Sequence, residues 1–133
     1  MQRGAEMRPP IAIAADHFAR LSALSSPTSG PMAEICEYLR EELERAHVLP
    51  ADKLRPDIVN FGSKVKFRDE HTGKIQDIVL VYPHDADIAR RRVSVLTPVG
   101  AALLGLSVNQ TISFRARTGE RRDLTVLKVG RED

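Results

Sequence analysis

The hydrophobic period of this chain changes once, and that change limits what it can become. Up to Ala46 the apolar residues recur at three- and four-residue spacing; from Ile58 onward β-branched and aromatic residues gather in short, often alternating runs. Side chains repeat every 3.6 residues on a helix and every two on a strand, so neither pattern can settle as the other. The first part is therefore expected to be helical and the second β-rich. Between them, Val48 to Asp57 holds Pro50 and Pro56 and reads as a linker.

In the first part, Met1 to Met7 is polar and unpatterned and reads as a disordered leader. Ile11 to Ala14 alternates large and small apolar residues, as a short strand or the lead-in to a helix. Asp16 suits a first helical turn, where a carboxylate meets the positive end of the dipole. Phe18, Leu21 and Leu24 then mark one face of a short helix. Ser25 to Pro31 is a turn cluster, with Pro31 suited to the first position of a second helix. That helix carries a stripe of Met32, Ile35 or Cys36, Leu39, Leu43 and Ala46, with Glu34, Glu37, Glu41, Glu42 and Glu44 mostly off it. Neither helix can bury its stripe alone, so the two are expected to fold back as an antiparallel pair.

In the second part, Ile58 to Phe61, Val65 to Phe67, Ile75 to Tyr82 and Val93 to Leu96 have strand texture. His71 to Lys74 reads as a hairpin turn with Gly73 at a position needing positive φ. Pro98 to Gly105 reads as a short helix, proline at its start and glycine at its stop. Gln110 to Arg117 and Arg121 to Val129 form a last hairpin, in which Leu127 breaks strict alternation. The expected fold class is α+β: a short antiparallel helical hairpin, then a twisted antiparallel sheet with one short helix. The divisions fall at 1–14 for the leader and short extended segment, 15–49 for the hairpin, 50–56 for the linker and 57–133 for the β-rich domain.

Composition narrows the function classes. The chain has 133 residues, 42% hydrophobic and 29% charged, the balance of a soluble globular protein. No apolar run nears the roughly 20 residues of a membrane span. Ile11 to Ala15 is too short for a signal-peptide core, so a cytoplasmic location is expected. The lone Cys36 fits a reducing compartment and reads as a buried helix residue, not a nucleophile. A net charge of +2, few aromatics and no Trp argue against binding dominated by phosphates or base stacking. His17, His47, His71 and His84 share no metal-site spacing and read as surface or loop residues. No glycine-rich phosphate loop or nucleophile elbow is present, so no catalytic residue, metal ligand or cofactor site is assigned. Asp85 and Asp87 form a loop carboxylate pair, suited to solvent, backbone amides or a basic partner. Arg90 to Arg92, with Arg115, Arg117, Arg121 and Arg122, admit two readings: an electrostatic patch, or charges that keep strand edges from aggregating.

Several motifs occur in one register. Val93-Ser-Val-Leu-Thr-Pro-Val-Gly-Ala-Ala-Leu-Leu-Gly105 resembles the strand, turn and helix signature of the GreA/GreB C-terminal domain. Pro83-His-Asp-Ala-Asp87 is similar to that family's Pro-Asp-Glu-Ala-Asp loop, with His84 in place of an acid. Val108 to Ile112 and Phe61 to Val65 match flanking segments, so the resemblance runs from about Asp57 to Val129. The first part departs from it, because Gre factors carry a much longer coiled coil with acidic residues at its tip that hold Mg²⁺ in the polymerase active centre. Here the first helix is about ten residues, or about 15 Å at 1.5 Å per residue, and Ser25 to Gly30 has no carboxylate. Arg8-Pro9, Val65 to Arg68, Leu80 to Pro83 and Pro98 to Leu106 extend the likeness to the family of the regulator of nucleoside diphosphate kinase. Since that pattern begins near Met7, Met1 to Glu6 are expected to be dispensable, with Met7 a rival start.

The resemblance implies an FKBP-like C-terminal domain in a non-enzymatic transcription regulator. Its partner would be RNA polymerase, met near the secondary channel in competition with Gre factors and without transcript cleavage. The docking residues it implies are Asp85, Asp87, Thr97, Pro98, Val99 and Ala101, with Thr97 replacing the usual Ser and Ala101 a frequently basic residue. No small-molecule substrate and no membrane are implied, and nucleic-acid contact is left open without being required. Two rival classes are a peptidyl-prolyl isomerase, suggested by fold alone, and an arginine-patch nucleic-acid binder. The isomerase needs an aromatic pocket, and Phe61, Phe67, Tyr82 and Phe114 are expected to be taken up by the core.

Overall fold

A computed structural model describes residues 8–116 and 118–131. The expected leader, Met1 to Met7, and Arg117 lie outside the described residues. The chain opens with β1 (Ala12–Ala14), α1 (Ala15–Leu24) and α2 (Ala33–Arg45). Asp16 occupies the first turn of α1 and Arg45 the last turn of α2, each suited to its end of the helix dipole. Pro31 falls one residue before the N-cap, Met32, and not at the first helical position. Leu21, Cys36, Leu39 and Leu43 bury the facing stripes. Arg40 braces the turn by donating to the carbonyls of Ser25 (2.6 Å) and Pro27 (3.1 Å).

Glu42 departs from expectation. It is 1% exposed, within the packed face of α2. Its carboxylate accepts from Arg8 at 2.6 Å and from Arg45 at 2.8 and 2.9 Å. A charge buried there is tolerable only because it is paired and hydrogen-bonded. Arg45 also donates to the Pro9 carbonyl at 2.6 Å, which clamps the segment before β1 onto α2.

The stretch from Val48, expected to be linker, begins as a strand. β2 (His47–Leu49) runs parallel to β1, with Ile13 opposite Val48. Beyond it come β3 (Ser63–Asp69), β4 (Ile75–Val81), β5 (Arg92–Ser94), α3 (Pro98–Leu103), β6 (Thr111–Arg115) and β7 (Arg121–Arg131). Ile58 to Phe61 do not form the expected strand. Ile58 makes one bridge to Ser107, and Val59 exchanges backbone bonds with Leu106 and Gly105.

The five-stranded sheet has the order β5-β4-β3-β7-β6 and is antiparallel except where β5 runs parallel to β4. Gly73 takes φ +76° in the β3–β4 turn, as the sequence predicts. Leu127 is the extra residue of a bulge: Phe67 pairs with Val126, but Lys66 pairs with Lys128. That bulge is why alternation fails at Leu127 and yet Val129 returns opposite Val65. One core joins the sheet's inner face (Val65, Phe67, Leu80, Ile112, Leu124, Val126) to Ile11, Ile13, Leu21, Leu39 and the α3 leucine Leu103.

Candidate functional site

The segment between β4 and β5 must carry the chain back along β4 so that the two strands run parallel. It is held at both ends. At its start, Tyr82 stacks on Phe61 with ring centroids 3.9 Å apart and planes within 3°. The Arg20 guanidinium of α1 lies 3.8 Å over the Tyr82 ring, and His17 Nδ1 stands 2.6 Å from its hydroxyl. Burial pushes the Tyr82 phenol up, against the pull of Arg20. His17, expected to be a surface or loop residue, is thus a half-buried helix residue that helps fix α1 to the sheet.

At its end, Asp87 and Arg92 exchange two backbone bonds of 3.0 and 2.9 Å. Between these ties the chain makes two single 3₁₀ turns, Pro83–Asp85 and Ile88–Arg90. The Asp87 carboxylate accepts from the Ala89 amide at 3.1 Å, capping the second turn. Arg91 closes it in the left-handed region at φ 57°. The result is an exposed aliphatic side chain on a constrained loop: Ile88 is 93% exposed. Sequence reasoning missed Ile88. The available signal was one large apolar residue inside the otherwise small or charged run Asp85 to Arg92.

The expected docking residues divide into three sorts. Asp85 is exposed, with one oxygen 3.3 Å from His84 Nε2. Pro98 and Val99 are half-buried at the start of α3. Asp87 and Thr97 have structural duties. The Thr97 hydroxyl accepts from the Gly100 amide at 3.1 Å and donates to the Ser94 carbonyl at 2.8 Å, so it caps α3. Ala101 must be removed from the surface set. It is 0% exposed, packed in the core under α3, and offers nothing to a partner. The loop and the Thr97–Pro98 turn flank opposite ends of β5, the three-residue edge strand.

The signature that resembles the Gre pattern is shaped by packing. A Cβ on Gly100 would sit 2.1 Å from the Ser94 carbonyl oxygen, so no larger residue fits. Gly105 takes φ +81°, and a Cβ there would meet the Ile11 Cβ at 2.8 Å.

The rival chemistries find little support. Phe67, Tyr82 and Phe114 are buried and Phe61 is stacked on Tyr82, so the aromatic residues are taken up as expected. A cleft of about 630 Å³ lies between α2 and the β6–β7 turn, where Glu34, Glu37, Glu41 and Arg115 stand among Met32, Ile35, Tyr38 and Phe114. Its mixed, partly charged lining differs from the wholly apolar, aromatic pocket that proline isomerisation needs. On the last hairpin, Arg122 pairs with Asp69 at 2.6 Å and Arg121 with Asp123 at 3.4 Å. Arg115 donates to the Gly119 carbonyl. These ties neutralise or engage Arg115, Arg121 and Arg122 of the group that the sequence offered as a patch. Among the described residues, no group of three His, Cys, Asp or Glu could hold a metal ion. No helix among them is long and apolar enough to cross a membrane.

Residues 54–131 match the family model described as "Transcription elongation factor, GreA/GreB, C-term". The chain is 37% identical to the "Regulator of nucleoside diphosphate kinase" of Escherichia coli (strain K12), over 71% of this chain and 70% of that protein. It is 33% identical to the "Transcription elongation factor GreA" of Rhodospirillum rubrum, over 69% of this chain and 59% of that one. Among solved structures, a "Prokaryotic transcription elongation factor GreA/GreB from Nitrosomonas europaea" aligns with TM-score 0.70 and 32% identity. That alignment covers 92% of this chain and 99% of the other.

Proposed function

The chain belongs to the GreA/GreB C-terminal family, and on that ground we propose that it is a transcription regulator that binds RNA polymerase. It docks near the secondary channel through the loop Pro83–Arg91 and the Thr97–Val99 turn, and it excludes Gre factors from that place. The observation that carries this reading is Ile88: 93% exposed, on a loop fixed at both ends, beside the exposed carboxylate of Asp85. A large aliphatic side chain held in water on a constrained loop costs solubility and gains nothing in the free protein. It suits insertion into an apolar pocket ringed by polar contacts, the usual arrangement of a binding hot spot. The same loop stands where the family's Pro-Asp-Glu-Ala-Asp segment does.

The hairpin supports occupancy without cleavage. α1 spans ten residues, about 15 Å. Its tip, Ser25 to Gly30, offers hydroxyls, and a hard cation such as Mg²⁺ needs anionic oxygen. The mechanism is competition by mass action: a factor that fills the site and supplies no metal-binding carboxylate blocks one that does. The test is capture of core RNA polymerase by the full-length chain, with and without excess GreA. Capture that GreA abolishes is expected. Failure to capture, or capture that GreA leaves unchanged, would overturn the proposed site.

A further inference from the structure

The outer face of the sheet carries a group of charges that the docking surface does not use. β3 alternates Val65 and Phe67, which enter the core, with Lys64, Lys66 and Arg68, which face the other way. In register, Lys66 stands opposite Lys128 on β7 and Lys64 opposite Gly130. The Leu127 bulge creates this arrangement, since without its extra residue Lys128 would alternate to the inner face. Lys64 and Lys128 are exposed and Lys66 is half-exposed. Arg68 is paired with Glu70 at 3.0 Å, but none of the three lysines has an ion-pair partner among the described residues. Asp77 lies opposite Lys66 on β4 without closing an ion pair to it.

Two features need an explanation. Like charges directly opposite on adjacent strands are destabilising, yet Lys66 and Lys128 are so placed. Glycine inside a strand also weakens it, and Gly130 has no conformational reason to be glycine. Its φ is not positive, and a Cβ there would meet nothing within 4 Å. Such a glycine leaves a bare strip of backbone where a ligand can approach closely. The strip is bordered by Lys64, Lys66 and Lys128.

We propose that this face, centred on Gly130 and the three lysines, binds the phosphate backbone of a nucleic-acid strand independently of sequence. Lys64 and Lys66 project from one strand about 6.6 Å apart, two residues at about 3.3 Å each, a spacing comparable with successive phosphates on a single strand. Lys128 flanks them on the next strand. The face carries no aromatic side chain, so bases have nothing to stack on and charge alone holds the strand. An acidic protein surface is the poorer fit. Protein partners draw most of their affinity from buried apolar anchors, and the large aliphatic exposed on this face, Ile75, sits at its far edge on β4. The low net charge of +2 concealed the patch, because sheet register gathers three lysines that sequence scatters from 64 to 128.

The test is fluorescence anisotropy of a labelled single-stranded oligonucleotide with the full-length chain between 20 and 200 mM salt, on the order of the range where counterion release is read. Three phosphate contacts predict a slope of log K against log salt of about −2, from about −0.7 per contact on a single strand. Lys64→Gln/Lys66→Gln/Lys128→Gln should weaken binding about tenfold or more at low salt and flatten the slope by about 2. Gly130→Val should weaken it with no change of charge, while melting no lower than wild type. A control, Lys53→Gln/Arg55→Gln/Lys74→Gln, removes three exposed charges elsewhere and should bind nearly as well as wild type. No binding at 20 mM salt, equal binding by the lysine variant, or a larger loss in the control would overturn the proposal. So would equal competition by polyglutamate of matched charge, which would assign the face to acidic proteins. Polymerase capture is not read in this assay, so the two proposals fail separately.

Discussion

Ile88→Ala should weaken polymerase binding without touching the fold. In the free protein Ile88 is 93% exposed, so truncating it removes almost no internal contact. Surface changes of this kind stay within about 0.5 kcal/mol of wild type. In a complex that buries the side chain, three carbons leave the interface at about 0.8 kcal/mol each, or roughly 2 kcal/mol after incomplete burial. At about 1.4 kcal/mol per decade, that is a loss of affinity of about 30-fold. Ile88→Asp should cost more, because a desolvated carboxylate replaces the missing carbons. The assay is titration of the labelled chain with core RNA polymerase, beside a thermal melt of each variant. Affinities within threefold of wild type for both variants would remove Ile88 as the anchor. A Tm drop of several degrees would show that Ile88 packs in the free protein, contrary to its exposure.

Three further outcomes follow from particular contacts. Although burial alone would raise it, the Asp69 carboxyl is held below the usual range by the amides of His71 and Thr72 and the Arg122 guanidinium. A depressed folded pKa gives stability that is present above about pH 3.9 and lost as pH falls through the folded value, so Asp69→Asn should flatten the acid limb of a Tm–pH curve. Glu42→Ala breaks three charge-assisted bonds, but Arg8 and Arg45 are partly exposed and can rehydrate, so a loss of about 2–3 kcal/mol is expected by denaturant melt. Glu42→Gln should lose less; equal losses would show that charge contributes nothing there. In a backtracked elongation complex the wild-type chain should release no RNA 3′ fragment above the no-factor rate, and Ser26→Asp/Ser29→Asp should not restore release, because a hairpin of about 15 Å still lacks reach.

Elements with a local cause were legible in the sequence. The α1 and α2 stripes, the Gly73 turn and the Thr97-Pro98 start of α3 each follow from spacing or from one residue's backbone preference. What escaped depends on pairings between distant residues. β2 is a strand because β1 lies beside it, and nothing in His47-Val48-Leu49 says so. Glu42 read as a solvent-facing acid because helical spacing cannot see Arg8, 34 residues away in the chain. His17 read as a surface or loop residue because Tyr82, which it contacts, is more than 60 positions on. Leu127 was visible as an irregularity, but its effect on which face Lys128 occupies needed the β3–β7 register.

The candidate site shows a sharper division. The residues that made the family legible are those the fold needs: Gly100 under the Ser94 carbonyl, Gly105 against Ile11, the Thr97 hydroxyl shared between Ser94 and Gly100. Each is fixed by a contact inside the chain, so each identifies the turn and says little about what meets it from outside. Ala101 is the plainest instance, since it stands at the centre of the signature and is wholly buried. Asp87 is intermediate, for its carboxylate caps the turn that presents Ile88. Loss of binding in Asp87→Ala would therefore report loop geometry as readily as a lost contact. Ile88 and Asp85 make no comparable contribution to the fold, and a partner's surface is what would constrain them. Substitutions at those two positions can separate recognition from folding, which substitutions within the Thr97–Gly105 signature cannot do.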